Sequence, residues 1–218
     1  VYGTLVDPLA LAEPLEALVG EQAAQFAGLW RSKQLEFSFR RGLMRRYADF
    51  DICTRQALRY TQRALRCELP ESDQGRLLEA YLYLPVFPEV AASLAALKTR
   101  GHRLVAFSNG VEASIRALLA NAGVLPQLED VVSVDDLRTF KPDPEVYGYL
   151  ARRTGFAPGE TWLISSNAWD VIGAKAAGLR AVWVKRQPDA VFDPWDVDPD
   201  GVVSRLDELP ACFARLSA

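Results

Sequence analysis

The chain has 218 residues, half of them hydrophobic and 24% charged, with a formal net charge of -3. That length suits one core-bearing domain plus a subdomain. The mild acidity, with no Lys/Arg run longer than two residues, argues against nucleic acid and membrane surfaces as partners, and no apolar run reaches membrane-spanning length.

The chain opens on a glycine-containing loop, Val1-Tyr2-Gly3-Thr4-Leu5-Val6-Asp7, and the rest of the first half reads helical. Leu9 to Val19 is apolar on one face and stops near Gly20. Glu21 to Arg46 is long and amphipathic, with Phe26, Trp30, Leu35 and Phe39 at helical spacing. Asp51 is placed to cap a helix through Ala57, Leu58 and Leu65, and Ser72 one through Leu77, Leu78 and Leu82. Pro85 and Pro88 then punctuate the chain.

The second half alternates. Glu89 to Lys98 reads as helix, Arg103 to Phe107 as strand, Glu112 to Ala122 as helix and Asp130 to Val134 as strand. Pro144, with Asp143 as cap, starts a helix over Glu145 to Arg153. Thr161 to Ile164 and Arg180 to Val184 read as strands around a helix from Asp170 to Ala177. Pro188 to Pro199 is an acidic loop, and Glu208 to Leu216 a short helix interrupted by Pro210. Such alternation implies a parallel sheet wrapped by helices, with the helical first half inserted over one end of it.

Cys53, Cys67 and Cys212 are scattered, with no C-x-x-C and no Cys/His cluster. This argues against zinc and fits a reducing cytoplasm. The one histidine, His102, follows Gly101 before an apolar run and reads as a turn residue at a strand entrance. Histidine-relay catalysis would rest on that residue alone. Chemistry falls instead to carboxylate, lysine and arginine side chains.

Four segments fall at expected strand ends: Val1 to Thr4, Ser108-Asn109, Lys141, and Ser165-Ser166-Asn167-Ala168-Trp169-Asp170. In open parallel sheets ligands bind in that crevice. Each segment alone is common. Their order and spacing together resemble the haloacid dehalogenase superfamily from Val1 to about Val184. The opening loop is similar to the D-x-Y-G-T-L-x-D loop of its L-2-haloacid dehalogenase branch. Leu29-Trp30-Arg31-Ser32-Lys33-Gln34-Leu35-Glu36 resembles the branch's L-W-R-Q-K-Q-L-E, and Met44 to Phe50 its M-x-R-Y-x-x-F.

The resemblance implies an α/β fold with a Rossmann-like parallel core (residues 1–7 and 87–218) and an inserted helical cap (residues 8–86). It implies an apolar central strand and a nucleophilic Asp immediately before Val1. The activity implied is (S)-2-haloacid dehalogenation through an aspartyl ester, with 2-haloalkanoate as substrate, halide as product, no cofactor and a homodimeric assembly. Thr4, Lys141 and Ser165 would hold the nucleophile, with Tyr147 supporting it or Lys141. Arg31 and Asn109 would receive halide, and Ser108 would grip the substrate carboxylate. Asn167 and Asp170 would position and activate water, with Asp170 as base or as a helix N-cap. Tyr2, Leu35, Phe50 and Trp169 would wall the alkyl group, each with plain core packing as its other reading. Arg31 alone would read as a solvated surface arginine. Ser32 stands where the branch has Gln, which leaves substrate preference open.

Superfamily phosphatases carry a second Asp where this chain has Tyr2, and further acidic metal ligands where it has Ser165-Ser166-Asn167. Only Asp170 is retained there, so the carboxylate cluster needed to hold a magnesium ion is depleted. A phosphohydrolase with other ligands, a haloacetate or fluoroacetate dehalogenase, and a non-catalytic relative lacking the upstream Asp stay open as rivals.

Overall fold

The structure, a computed structural model, describes residues 1–216. After the opening loop, Pro8–Leu11 forms a 3-10 turn, capped by Asp7, whose carboxylate accepts the Leu9 N–H at 2.9 Å. Four helices follow: α1 (Ala12–Val19), α2 (Ala23–Leu43), α3 (Phe50–Ala64) and α4 (Glu71–Ala80). α2 buries Phe26, Trp30, Gln34 and Ser38, a four-residue spacing that puts them on one face. It ends at Leu43, short of the expected Arg46, because Arg45 takes a left-handed φ of 52°.

Two expected caps are corrected. Asp49, not Asp51, caps α3, accepting the Ile52 N–H at 2.7 Å, while the Asp51 carboxylate accepts the Ser114 hydroxyl. Ser72 lies inside α4, which starts from Pro70 without a side-chain cap.

The second half supplies α5 (Val90–Thr99), β1 (Val105–Ser108), α6 (Glu112–Asn121), β2 (Asp130–Ser133), α7 (Pro144–Thr154), β3 (Trp162–Ser165), α8 (Ala168–Ala176), β4 (Arg180–Val184), β5 (Gly201–Val203) and α9 (Leu209–Leu216). The strands pair in parallel, as the alternation implies. β1 pairs with β2 from Val105–Asp130 to Ser108–Ser133, and β3, β4 and β5 pair in that order. β5 is three residues long and carries no periodic signal. Pro210 stands in the first turn of α9 and starts that helix instead of interrupting it. His102 is exposed before β1, as expected, against Phe213.

An apolar cavity of about 400 Å³ runs between β1 and β3, lined by residues such as Ala106, Phe107, Leu163 and Ile164, and reaching Val1. The opening loop is tied beside the chain's return from the helical half. The Asp7 N–H donates to the Pro85 carbonyl at 2.9 Å, and the Phe87 N–H to the Leu5 carbonyl at 3.1 Å. The chain therefore leaves for α1 and comes back from α4 through one small crossing. Across it, Tyr2 stacks on Phe50 and meets Tyr81 edge-on. Among the described residues, no helix is long and apolar enough to cross a membrane.

The corrected caps separate two substitutions. Asp49→Ala is expected to cost about 1 kcal/mol, lowering Tm by about 2–4 °C for a chain of this size. Ser72→Ala is expected to stay within about 0.5 kcal/mol. Thermal unfolding followed by circular dichroism checks both.

Candidate active site

Lys141 and Asp170 form the centre. Only 4% of Lys141 and 5% of Asp170 is exposed, and their charged atoms lie 3.1 Å apart. Asp170 Oδ2 also accepts the Ser165 hydroxyl at 3.1 Å, and Oδ1 accepts the Tyr147 hydroxyl at 2.9 Å. The Lys141 ammonium donates to the Phe107 carbonyl at 3.3 Å and lies over the Phe107 ring. An ammonium has three N–H donors, so this arrangement leaves one of them for a ligand. Burial pulls Lys141 below its ordinary value, while the Asp170 charge and hydrogen bond push back. Burial raises Tyr147, and the Asp170 carboxylate raises it further, so its phenol stays a donor.

Two expectations are corrected here, the place of Lys141 and the capping role of Asp170. Lys141 lies beyond β2 in the loop before α7, not at a strand end. Lys141, Ser165 and Tyr147 converge on Asp170. Asp170 sits in the first turn of α8 and caps nothing, since the cap position belongs to Asn167.

Local geometry explains how these groups meet. α7 starts at Pro144 with the Asp143 carboxylate accepting the Glu145 N–H, which sets Tyr147 one turn in. Gly173 of α8 makes room for that ring: a Cβ there would lie 2.5 Å from the Tyr147 hydroxyl. Asn109 is buried and its side-chain carbonyl accepts the Lys141 N–H at 2.9 Å, fixing the loop that carries the lysine. Ser108 is buried at the end of β1, with its hydroxyl accepting the Gly110 N–H at 3.1 Å.

The opening loop faces this cluster. Gly3 has φ 78°, and a Cβ there would sit 2.8 Å from the Ser166 hydroxyl, so glycine is required on both counts. The Thr4 hydroxyl accepts the Ser166 N–H at 3.1 Å, and the Asn167 amide donates to the Tyr2 carbonyl at 3.4 Å. Behind the loop, Arg186 donates to the Thr4 carbonyl at 2.6 Å and pairs with buried Glu89.

From the helical half, Arg31 lies over the Tyr2 ring at 5.5 Å. Burial pulls its guanidinium below the ordinary value. Burial also raises the phenols of Tyr2 and Tyr81, the latter to about 12. A positive charge on the Val1 nitrogen is opposed first by burial, then by Lys141, and also by Arg31; only Asp170 favours it. Of the three charged groups that act on that position, Lys141 and Arg31 favour an anion and Asp170 disfavours one, while burial opposes either charge. Phe50 is buried against Tyr2, Leu35 is half-buried, and Trp169 packs edge-on against Phe39. Ser32 is exposed, about 100° round α2 from Arg31, so the expected pocket role for it has no support in the geometry.

A haloacid dehalogenase-like hydrolase family model matches residues 1–178. An (S)-2-haloacid dehalogenase of Pseudomonas fluorescens is 36% identical, over 96% of this chain and 92% of that protein. A haloacetate dehalogenase H-2 of Moraxella sp. (strain B) is 37% identical, over 96% of this chain and 93% of that one. The structure of L-2-haloacid dehalogenase from Xanthobacter autotrophicus with chloropropionic acid covalently bound superposes with a TM-score of 0.90. It is 34% identical and covers 98% of this chain and 96% of that one. The chain belongs to the haloacid dehalogenase-like hydrolases, in the L-2-haloacid dehalogenase branch.

Within that family a divalent cation would need several carboxylate oxygens. Both Asp170 oxygens are engaged, and among the described residues no three His, Cys, Asp or Glu side chains group to hold an ion. The residues present do not fit a metal. Sequence reasoning missed Gln34, Thr54, Ser166, Glu89 and Arg186. For Gln34 a signal exists, since a glutamine on the buried face of a long helix needs a polar partner. The others act through contacts between distant segments.

A buried pair is costly to break from one side. Lys141→Met alone is expected to cost about 3–5 kcal/mol by stranding the Asp170 carboxylate. Lys141→Met with Asp170→Leu is expected to recover most of it. Denaturant unfolding of both variants and of Asp170→Leu checks this; a double-variant loss equal to the sum of the two single losses would show that the pair is not coupled.

Proposed function

We propose that this chain is an (S)-2-haloacid dehalogenase, hydrolysing short 2-haloalkanoates to (R)-2-hydroxy acids. The observation that carries the reading is the charge arrangement: buried Lys141 and half-buried Arg31 both act electrostatically on Val1, while the Asp170 carboxylate is taken up by three donors. Such a site calls for a carboxylate on the residue before Val1 and for an anionic substrate. The groove between β1 and β3 gives the strand leading to it an apolar bed. The parts are a core of residues 1–7 and 87–218 and a helical cap of residues 8–86, divided at the crossing of Asp7 and Pro85. Cytoplasmic location, a homodimer, and no nucleic acid or membrane partner complete the reading.

In the first step a carboxylate oxygen of the upstream Asp attacks C2 from the face opposite the halogen. The carbon–halogen bond breaks and halide leaves with the bonding pair, inverting C2. Arg31 and Asn109 receive the developing negative charge, and Ser108 with nearby backbone N–H groups holds the substrate carboxylate. Water then adds to the ester carbonyl, giving its proton toward Asp170 with Asn167 placing it. The acyl C–O bond breaks, the leaving oxygen takes that proton back from Asp170, and the 2-hydroxy acid leaves. Two easier displacements replace one hard one. Tyr2, Leu35, Phe50 and Trp169 wall the alkyl group, and exclusion of water leaves the nucleophile less hydrated. Thr4, with Lys141 and Ser165 through Asp170, holds the attacking loop and offsets its charge. Chemistry at carbon needs no divalent cation, so chelators should leave it unchanged.

The haloacetate dehalogenase relative favours a second reading, in which the preferred substrate lacks a substituent on C2. The chemistry is the same, and relative rates on chloroacetate and L-2-chloropropionate separate the two.

Single turnover of L-2-chloropropionate in oxygen-18 water, followed by peptide mass spectrometry, tests the mechanism. The heavy oxygen is expected on the Asp before Val1 and not in the product. Label in the product alone would mean direct attack of water on C2. Magnesium-dependent turnover of p-nitrophenyl phosphate without halide release would replace the reading with a phosphohydrolase. Arg31→Lys is expected to lower kcat about 100- to 1,000-fold.

A further inference from the structure

Arg31 is held by a chain of buried polar groups that the mechanism does not use. Its Nη1 donates to Gln34 Oε1 at 2.6 Å, and Gln34 Nε2 donates to Thr54 Oγ1 at 2.5 Å. The Thr54 hydroxyl donates to the Phe50 carbonyl at 2.8 Å. Gln34 is wholly buried and Thr54 is 5% exposed. One turn before Gln34, the Trp30 indole N–H donates to the Thr54 carbonyl at 2.9 Å, locking α2 to α3 at the same residue.

Hydrogen-bond logic gives the chain a direction. A hydroxyl has one proton, and Thr54 gives its own to Phe50. Toward Gln34 it therefore acts only as acceptor, so Gln34 turns its amide nitrogen to Thr54 and its carbonyl to Arg31. An amide flipped the other way would put an N–H against the guanidinium and a carbonyl against an oxygen with no proton left. Thr54 thus decides which end of Gln34 meets Arg31. We infer that Gln34 and Thr54 are positioning residues that aim the Arg31 guanidinium at the leaving halide. The inference rests on the dehalogenase reading for what Arg31 is aimed at, but not for the aiming itself.

The chain serves a cation that, among the described residues, has no carboxylate partner. A carboxylate at position 34 would orient Arg31 as well but would cancel its charge. A neutral carbonyl orients it and leaves the charge for an incoming anion.

The test uses the full-length protein with Gln34→Leu, Thr54→Val and Thr54→Ser. Thr54→Val keeps the side chain's shape and leaves the Trp30 bond to the backbone, so it guards against a folding defect in Gln34→Leu. Poorer leaving groups depend more on charge stabilisation. Both Gln34→Leu and Thr54→Val are expected to lower kcat for L-2-chloropropionate about 10- to 100-fold, the scale of a misplaced group. The loss on L-2-bromopropionate should be smaller, so the bromide-to-chloride ratio rises, while Thr54→Ser keeps the parent ratio. Parallel losses on both substrates that follow the fall in Tm would overturn the inference. If the parent releases no halide, the dehalogenase reading fails. The aiming is then read from the slowly exchanging Arg31 Nη–H resonance, assigned by its loss in Arg31→Lys. Its disappearance in Gln34→Leu supports the inference, and its persistence overturns it.

Discussion

Lys141 and Asp170 meet at 3.1 Å in a place almost closed to solvent. Removing two charges from water is expensive, and mutual attraction repays it only when other hydrogen bonds complete both groups. The neighbouring elements supply them. β1 gives the Phe107 carbonyl, β3 the Ser165 hydroxyl, and α7 the Tyr147 phenol. Each donor or acceptor fixes one piece of backbone relative to the pair. Gly173 is needed because Tyr147 must come close to α8, and Asn109 because the lysine's own loop needs an anchor. The pair therefore organises the strand ends where the chemistry is placed.

The pair is balanced, but the site is not. Arg31 enters from α2 with a glutamine and an aromatic face as partners, and among the described residues no carboxylate pairs with it. This surplus makes the entrance to Val1 favourable for an anion, whether borne by the protein or brought by substrate. Two carboxylates, a nucleophile and a substrate headgroup, would otherwise repel each other at the distance a displacement requires. One cation from the core and one from the helical half relieve that repulsion from two sides. The arrangement exists only when both halves are packed together.

Much of this was readable from residue order. The strand–helix alternation gave parallel pairing because buried strands and helix caps leave local marks, as at Asp143 and Pro144. Lys141, Ser165, Tyr147 and Asp170 were all singled out, and the structure brings them together. Their bonds to Asp170 were not foreseen, since a sequence shows which groups lie near strand ends but not which of several nearby carboxylates they meet. The caps at Asp51 and Ser72 failed for a simpler reason. Capping residues recur close together, and the burial of Phe50 chose Asp49. Gln34–Thr54 and Glu89–Arg186 join segments far apart in the chain, and no local pattern announces such pairs.

The opening loop shows how tightly the molecule must hold a group meant to react. A carboxylate attacking carbon needs a fixed direction as much as charge, and backbone is what sets it. Gly3 turns the loop, and the Ser166 N–H grips the Thr4 side chain from the sheet side. Arg186, stacked on Phe87 and braced by Glu89, takes the Thr4 carbonyl from behind. The crossing to the helical half lies only three residues further on, at Asp7 and Pro85. Rearrangement of the helices would reach the loop through that crossing first. Placing the Arg186 clamp between the crossing and Val1 keeps the residues that enter the site anchored to the core, while the walls formed by α2 and α3 are anchored to each other.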